Sequence, residues 1–295
     1  MEFSNELLKN EIKGPLTDQS TIQSASHCLA DNMRRKANYY MPQSHAHDYY
    51  ELYYLMSGKC RIFLDHTIYD ILPGDLVVIS PQEIHRVLYD SEQNAERFAA
   101  FFPACDLVDL KKDCPEDAYA NLLSSHLIRI VPEHRSTIES YMNQLKNENG
   151  RQDSYASCLT KYILYQLLIF LGRICNTNGT QPAIELPDQT DKAMQDAARF
   201  LYQHHAEPVT LTQAAAIAHM SPSYFSRSFR HSTGFGFKEY LTNVRLQHST
   251  DLLTNTSRSI TDIATACGFS DGNYFGDVFR KAKGCSPLQY RKNTL

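Results

Sequence analysis

No two of the eight cysteines form a C-x-x-C pair; they stand singly at Cys28, Cys60, Cys105, Cys114, Cys158, Cys175, Cys267 and Cys285. That spacing excludes metal-finger and thioredoxin-like uses of cysteine. Scattered single thiols without an export signal are expected to be reduced and mostly buried. Long apolar runs are lacking as well. The most apolar stretch, Tyr162 to Leu171, falls far short of the roughly 20 residues that cross a bilayer. Met1 to Asn10 carries three charged side chains and no apolar run, so no signal peptide, no membrane partner and a cytoplasmic location are expected. Nor is there a large charge of either sign, since the formal net charge is -4. That average hides a split. From Asp188 onward twelve Lys and Arg face nine Asp and Glu, so this third is positive and the remainder acidic; the positive end is where a phosphate backbone would be met.

The 295 residues suffice for two ordinary domains. From about Tyr39 to Phe102 the chain offers short segments rich in Tyr, Phe, Ile and Val, such as ELYYLMSG, CRIFLDH, TIYDI, DLVVIS and ERFAAFF. Turn signals at Ser57-Gly58, Pro73-Gly74-Asp75 and Ser80-Pro81 separate them. This pattern predicts an antiparallel β-barrel or sandwich. From about Pro132 the period becomes helical: Ile138, Tyr141, Met142 and Leu145 form one stripe, and Leu159 to Ile174 another. The second helix is apolar around much of its girth, so it must pack on the barrel or on a second copy of the chain. The expected division is an arm over 1–38, a barrel over 39–131, a helical dimerisation element over 132–175, a Pro/Gly-containing linker over 176–189 and an all-α domain over 190–295.

One internal repeat stands out. In TLTQAAAIAHMSPSYFSRSFR, Thr210 and Gln213 form a capping box, and Ala214, Ala215 and Ala218 make a face small enough for a second helix to cross closely. His219-Met220 is a turn, Ser221 a cap and Pro222 a first helical residue. Phe225 and Phe229 anchor the second helix, leaving Ser223, Ser226, Arg227 and Arg230 pointing away. In SITDIATACGFSDGNYFGDVFRKAK the same devices recur: Ser259 with Asp262, a Cys267-Gly268-Phe269 turn, Ser270 as cap, and Phe275 with Phe279. Two helix-turn-helix motifs, at about 210–231 and 259–282, fit recognition helices entering one duplex at successive major-groove faces.

Residues 190–292 resemble the DNA-binding domain of the AraC/XylS family, through MSPSYFSRSF, TGFGFKEYLTNVRL, ITDIATACGFSDGNYF and KGCSPLQYR. The resemblance implies a transcription regulator, usually an activator acting with RNA polymerase on a double-stranded operator. Carried over by position, Ser223, Ser226 and Arg227 face base edges and Arg230 a phosphate. In the second motif Gly272, Asn273 and Asp277 take the matching places, with Arg280, Lys281 and Arg291 on the backbone. Asp277 departs from the family, which usually has a basic residue there. Arginine reads guanine O6 and N7 and asparagine reads adenine, so the first motif is expected to carry most of the base readout.

In PQSHAHDYYELYYLMSG, His45, His47 and Glu51 share the parity of one strand face. The spacing H-x-H-x3-E-x6-G resembles the first signature of the cupin superfamily. PGDLVVISPQEIH resembles the second, with His85 at the remaining position; Glu83 stands where cupins often have glycine. The resemblance implies a cupin-like sensor in which His45, His47, Glu51, Tyr53 and His85 line a pocket for a small polar effector such as a sugar. No resident cofactor is expected, although His45, His47, Glu51 and His85 form a set able to hold a divalent metal. Two alternatives stay open at this point: a metal-dependent cupin enzyme fused to a DNA-binding module, and a ligand-independent activator whose barrel only dimerises.

Overall fold

The structure is a computed structural model describing residues 28–294 apart from 38, 40–45, 91, 115–121, 124–125, 152, 178–179 and 182–187. Its contacts divide into two compact units that part at Glu185, with the short segment Asp65–Ile68 grouped with the second.

The first unit contains the strands β1 (Leu29–Arg35), β2 (Tyr50–Ser57), β3 (Cys60–Leu64), β4 (Thr67–Ile71), β5 (Asp75–Ile79), β6 (His85–Tyr89), β7 (Ala95–Phe102), β8 (His126–Ile130) and β9 (Thr180–Gln181). One sheet runs β1-β7-β2-β5-β8-β9 and the other β4-β3-β6. Every pairing with a defined register is antiparallel. Gly58 turns the chain between β2 and β3 at φ +83°, where a Cβ would stand 2.4 Å from the Asn94 carbonyl oxygen; both constraints demand glycine.

Strand parity assigns the two faces of the larger sheet. Leu52, Tyr54, Leu76, Val78, Phe98 and Phe102 point outward. They are covered by helices α2 (Pro132–Asn149) and α3 (Ala156–Asn176), which follow a short α1 (Val108–Asp113). Tyr53, Leu55, Val77 and Ile79 point inward against Cys60, Ile62, Leu64 and Val87 of the smaller sheet. Coverage on both faces explains why β5 is buried throughout instead of alternating.

Three expectations change here. The arm is shorter than 38 residues, because Leu29–Arg35 pairs along its whole length with β7; what precedes residue 28 lies outside the described residues. The linker is partly sheet, since Thr180–Gln181 pairs with β8. Of the eight free cysteines only Cys28, Cys60 and Cys267 are fully buried, while Cys105 and Cys158 are exposed. α3 exceeds the Tyr162–Leu171 stretch and is long and apolar enough to cross a membrane by length and composition. Its Leu164, Leu167, Leu168 and Leu171 are nevertheless packed into the sheet-covering core, as in a core helix.

The second unit is helical: α4 (Gln189–Gln203), α5 (Leu211–Ile217), α6 (Pro222–Thr233), α7 (Phe237–Asn255), α8 (Ile260–Ala266), α9 (Gly272–Lys283) and α10 (Pro287–Thr294). Side-chain caps open α4 through α6, α8 and α9, from Asp188, Thr210, Ser221, Ser259 and Asp271. The repeat reaches beyond the helix pairs into their cores. Phe225 and Phe229 ring centroids lie 5.3 Å apart and Phe229 and Tyr240 5.6 Å. Fifty residues on, Phe275 and Phe279 lie 5.6 Å apart and Phe279 and Tyr290 5.5 Å. Gly234 and Gly284, both left-handed, close α6 and α9 at matching places.

Candidate nucleic-acid interface and sensor site

In the first motif Gln213 closes the capping box, its Oε1 accepting from the Thr210 amide at 2.8 Å. Ala214, Ala215 and Ala218 are buried where α5 meets its neighbours. The turn passes through His219 at φ +54°, and Ser221 Oγ then caps α6 by accepting from the Tyr224 amide. In the second motif the turn residue is Gly268 at φ +80°. The cap of α9 is not Ser270 but Asp271, whose Oδ1 accepts from the Asn273 amide at 2.9 Å. Ser270 is one extra residue between turn and cap. Register between the motifs is therefore 49 before the turn and 50 after it.

With that shift, residues 221–230 and 271–280 show the same sequence of exposed and buried positions. Ser223, Arg227 and Arg230 are exposed and Ser226 half-buried. Their counterparts become Asn273, Asp277, Arg280 and Gly276, so Gly272 is not the match of a base-facing residue. Asn273, Asp277, Arg280 and Lys281 are exposed. Asp277 lies 3.9 Å from Arg280, one turn along the same face, and so offsets part of the charge a phosphate would meet. Arg291 is drawn inward: its Nε donates to the Leu253 carbonyl at 3.1 Å, tying α10 to the end of α7. Tyr224 and Tyr274, at equivalent positions, are exposed aromatics that the sequence argument left unassigned.

Several buried polar groups of the first unit lie on the inward face. His47, Glu51 and His85 are buried together, with one ligand atom of each within 4.8 Å of the others. His47 Nε2 stands 3.1 Å and His85 Nε2 3.6 Å from Glu51 Oε2. Tyr49 stacks on the His47 ring at 3.9 Å. His45 lies outside the described residues. Tyr53 is buried, with its hydroxyl 3.3 Å from that of Tyr89 and 3.4 Å from Cys60 Sγ; burial pushes its phenol far up. Burial also lowers the His47 imidazole. Glu51 would be raised by burial, but the neighbouring His47 and His85 outweigh it and hold the carboxyl well below the usual range.

Tautomers sharpen the electrostatics. His47 Nδ1 lies 2.8 Å from the Tyr49 carbonyl and His85 Nδ1 3.0 Å from the Glu83 carbonyl. A carbonyl only accepts, so each Nδ1 carries a proton and each ring turns its Nε2 toward the Glu51 carboxylate. A proton on either Nε2 satisfies the carboxylate by hydrogen bonding, and the same three atoms form a set of metal-ligand type.

Residues 33–168 match the family described as AraC-like ligand binding domain, and residues 214–293 match the family described as helix-turn-helix domain. The chain belongs to the AraC family of transcription regulators. Its AraC-family relatives include the HTH-type transcriptional activator RhaR of Mannheimia succiniciproducens, 27% identical over 258 residues that cover 85% of this chain and 87% of the relative. RhaR of Escherichia coli is 26% identical over 247 residues, covering 84% and 86%. Among solved structures, an apo single-residue variant of ToxT from Vibrio cholerae is 14% identical and aligns over 92% of this chain and 99% of its own, with a TM-score of 0.41. The AraC-family chain is thus a DNA-binding regulator and not an enzyme, which removes the fused cupin-enzyme alternative.

Sequence reasoning missed two inward-facing residues of this AraC-family sensor, Tyr89 and Arg97. Tyr89 has the parity of His85 on β6. Arg97 is buried and forms an ion pair with Asp31 across the β1–β7 pairing. Its signal was present: in ERFAAFF, Arg97 has the inward parity of Phe101, an unusual place for a charge. The partner went unseen because Asp31 was assigned to the arm.

Proposed function

We propose that the chain is a cytoplasmic, homodimeric activator whose β unit binds a small polar metabolite, a sugar or sugar derivative, and so sets how its helix-turn-helix pair engages a double-stranded operator and RNA polymerase. One observation carries the effector reading. Glu51, Tyr53, His85, Tyr89 and Arg97 all lie on the buried inward face, among the apolar inward residues Leu55, Val87, Ala95, Ala99 and Phe101 of the same strands. Such a mix of convergent polar groups and aromatic walls suits a hydroxyl-rich ligand. The RhaR relatives are HTH-type transcriptional activators, which supports the sign of regulation. On the DNA side, Ser223, Ser226, Arg227 and Arg230 read and grip one site, while Asn273, Asp277, Arg280 and Lys281 serve the second, with Arg291 holding α10 in place.

The dimer rests on α3. Leu159, Tyr162 and Ile169 are exposed along one face, continued by Tyr155 just before the helix. A second copy would meet the same stripe by two-fold symmetry. The effector test is calorimetric titration of the whole chain with neutral sugars and sugar acids. A sugar bound by the wild type and lost in Glu51→Ala supports the proposal. Binding to none of them leaves a barrel that only dimerises.

A second occupant is favoured by the clustering of these three atoms of metal-ligand type. His47, Glu51 and His85 fit a divalent cation, with two imidazole nitrogens and a carboxylate of the kind that suits zinc, iron, manganese or nickel. Metal analysis of purified chain before and after chelation tests this; near-stoichiometric metal lost in His85→Gln supports it, and metal-free protein with unchanged stability rejects it.

A further inference from the structure

We propose a second ligand site in the sensor unit, an oxyanion site centred on Arg35 that takes a phosphate or carboxylate group. It lies at the far end of the inward face from the His47–Glu51–His85 cluster. Glu51 pairs with Phe101, Phe101 with Leu29, and β1 then runs six residues to Arg35 opposite Ala95. At about 3.3 Å per residue the two ends are roughly 20 Å apart, too far for one small metabolite to fill both.

Arg35 is only 8% exposed, yet its Nε is buried without an acceptor. Among the described residues its one directed partner is the Tyr39 ring, 4.3 Å from the guanidinium carbon, and an aromatic face does not accept from the Nε–H as a carboxylate would. Leaving a buried guanidinium N–H without an acceptor is costly. The acids nearby are already engaged: Asp31 pairs with Arg97, and Glu96 accepts from Arg34 at 3.0 Å. Beside Arg35 opens a cleft of about 440 Å³, lined also by Arg34, Lys36, Ser57, Asn94 and Glu96. Asn94 Oδ1 accepts from the Ala37 amide at 3.0 Å, which turns its NH₂ group, a pair of donors, elsewhere. A guanidinium fork, an amide donor and a hydroxyl around a cleft with three basic residues and one acid match an oxyanion. Phosphate esters and carboxylates share that chemistry.

The test is calorimetry on the whole chain with inorganic phosphate and, separately, gluconate, each against chloride at equal ionic strength. Wild type is expected to bind at least one. Arg35→Gln should weaken that binding about ten-fold or more, as expected for losing a charged hydrogen-bond donor. Arg173→Gln, the same charge change on α3, should leave it intact. Arg35→Gln should also melt no lower than wild type, since it removes an unpaired buried charge. Phosphate alone would identify a phosphate ester, gluconate alone a carboxylate. No binding of either anion to wild type, or equal binding to Arg35→Gln, overturns the proposal. A steep loss of stability in Arg35→Gln without anion binding would make Arg35 a prop for Tyr39 instead. Neutral-sugar binding at the Glu51 end is separate and unaffected by either result.

Discussion

At the scale of single residues, the two recognition helices share a scaffold but not a vocabulary. α6 presents Ser223, Ser226 and Arg227, while α9 presents Asn273, Gly276 and Asp277 at the same places. A bidentate arginine–guanine contact is worth about 1–3 kcal/mol of discrimination. Arg227→Ala should therefore cost about ten-fold or more in specific binding, and more than Asn273→Ala, when each variant is competed on specific against random duplex. Asp277→Lys should tighten binding to both duplexes alike and steepen the salt dependence, because it adds a phosphate-facing charge and frees Arg280. A third residue prediction concerns pH. Burial, with His205 stacked on its ring at 3.7 Å, brings the His248 imidazole down to about 4. An unfolded histidine titrates near ~6.5, so between these values the unfolded chain holds more protons. Stability is full above ~6.5 and falls as pH drops toward 4. His248→Gln should flatten that slope in urea titrations followed by helical circular dichroism.

At the scale of elements, the two turns solve one problem differently. Both put a residue in the left-handed region, but Gly268 does so without a side chain and His219 with one. At Gly268 a Cβ would stand 2.6 Å from the His205 carbonyl oxygen, so Gly268→Ala should destabilise the chain. His219→Gly should be neutral or stabilising by up to about 1 kcal/mol; thermal melts of both variants check the pair. Most of these elements were legible in the sequence, because capping boxes, the Pro222 start and the paired phenylalanines are local signals. Ser270 was mistaken for the cap because serine and aspartate both cap well, and only the backbone reveals which side chain meets the free amide. β1 was invisible for a different reason. LADNMRR has no clean alternation of apolar and polar residues, and its strand character comes from its partner β7. The candidate site was half legible: Glu51 and His85 followed from the resemblance to the two cupin signatures and Tyr53 from its parity with Glu51, whereas Arg97 needed Asp31 across the sheet to explain its burial. α3 was correctly seen as apolar on too many sides, and the structure leaves Leu159, Tyr162 and Ile169 uncovered. If the proposed dimer forms through this face, Tyr162→Asp with Ile169→Asp converts it to monomer in sedimentation, while the circular dichroism stays unchanged.

For the whole molecule, the acidic sensor half and the net-positive helical half divide two tasks, and neither half is an enzyme. α7, at 19 residues, is about 28 Å long, close to the ~34 Å pitch that separates successive major-groove faces. The most direct measurement is selection of random duplexes by the purified full chain, followed by sequencing of the bound pool. Two conserved blocks with centres about 10 base pairs apart are expected per chain, with the block read by α6 the more sharply defined and erased selectively by Arg227→Ala. A pool with no enrichment over random sequence, or a single block indifferent to Arg227→Ala, would contradict paired recognition by these two motifs.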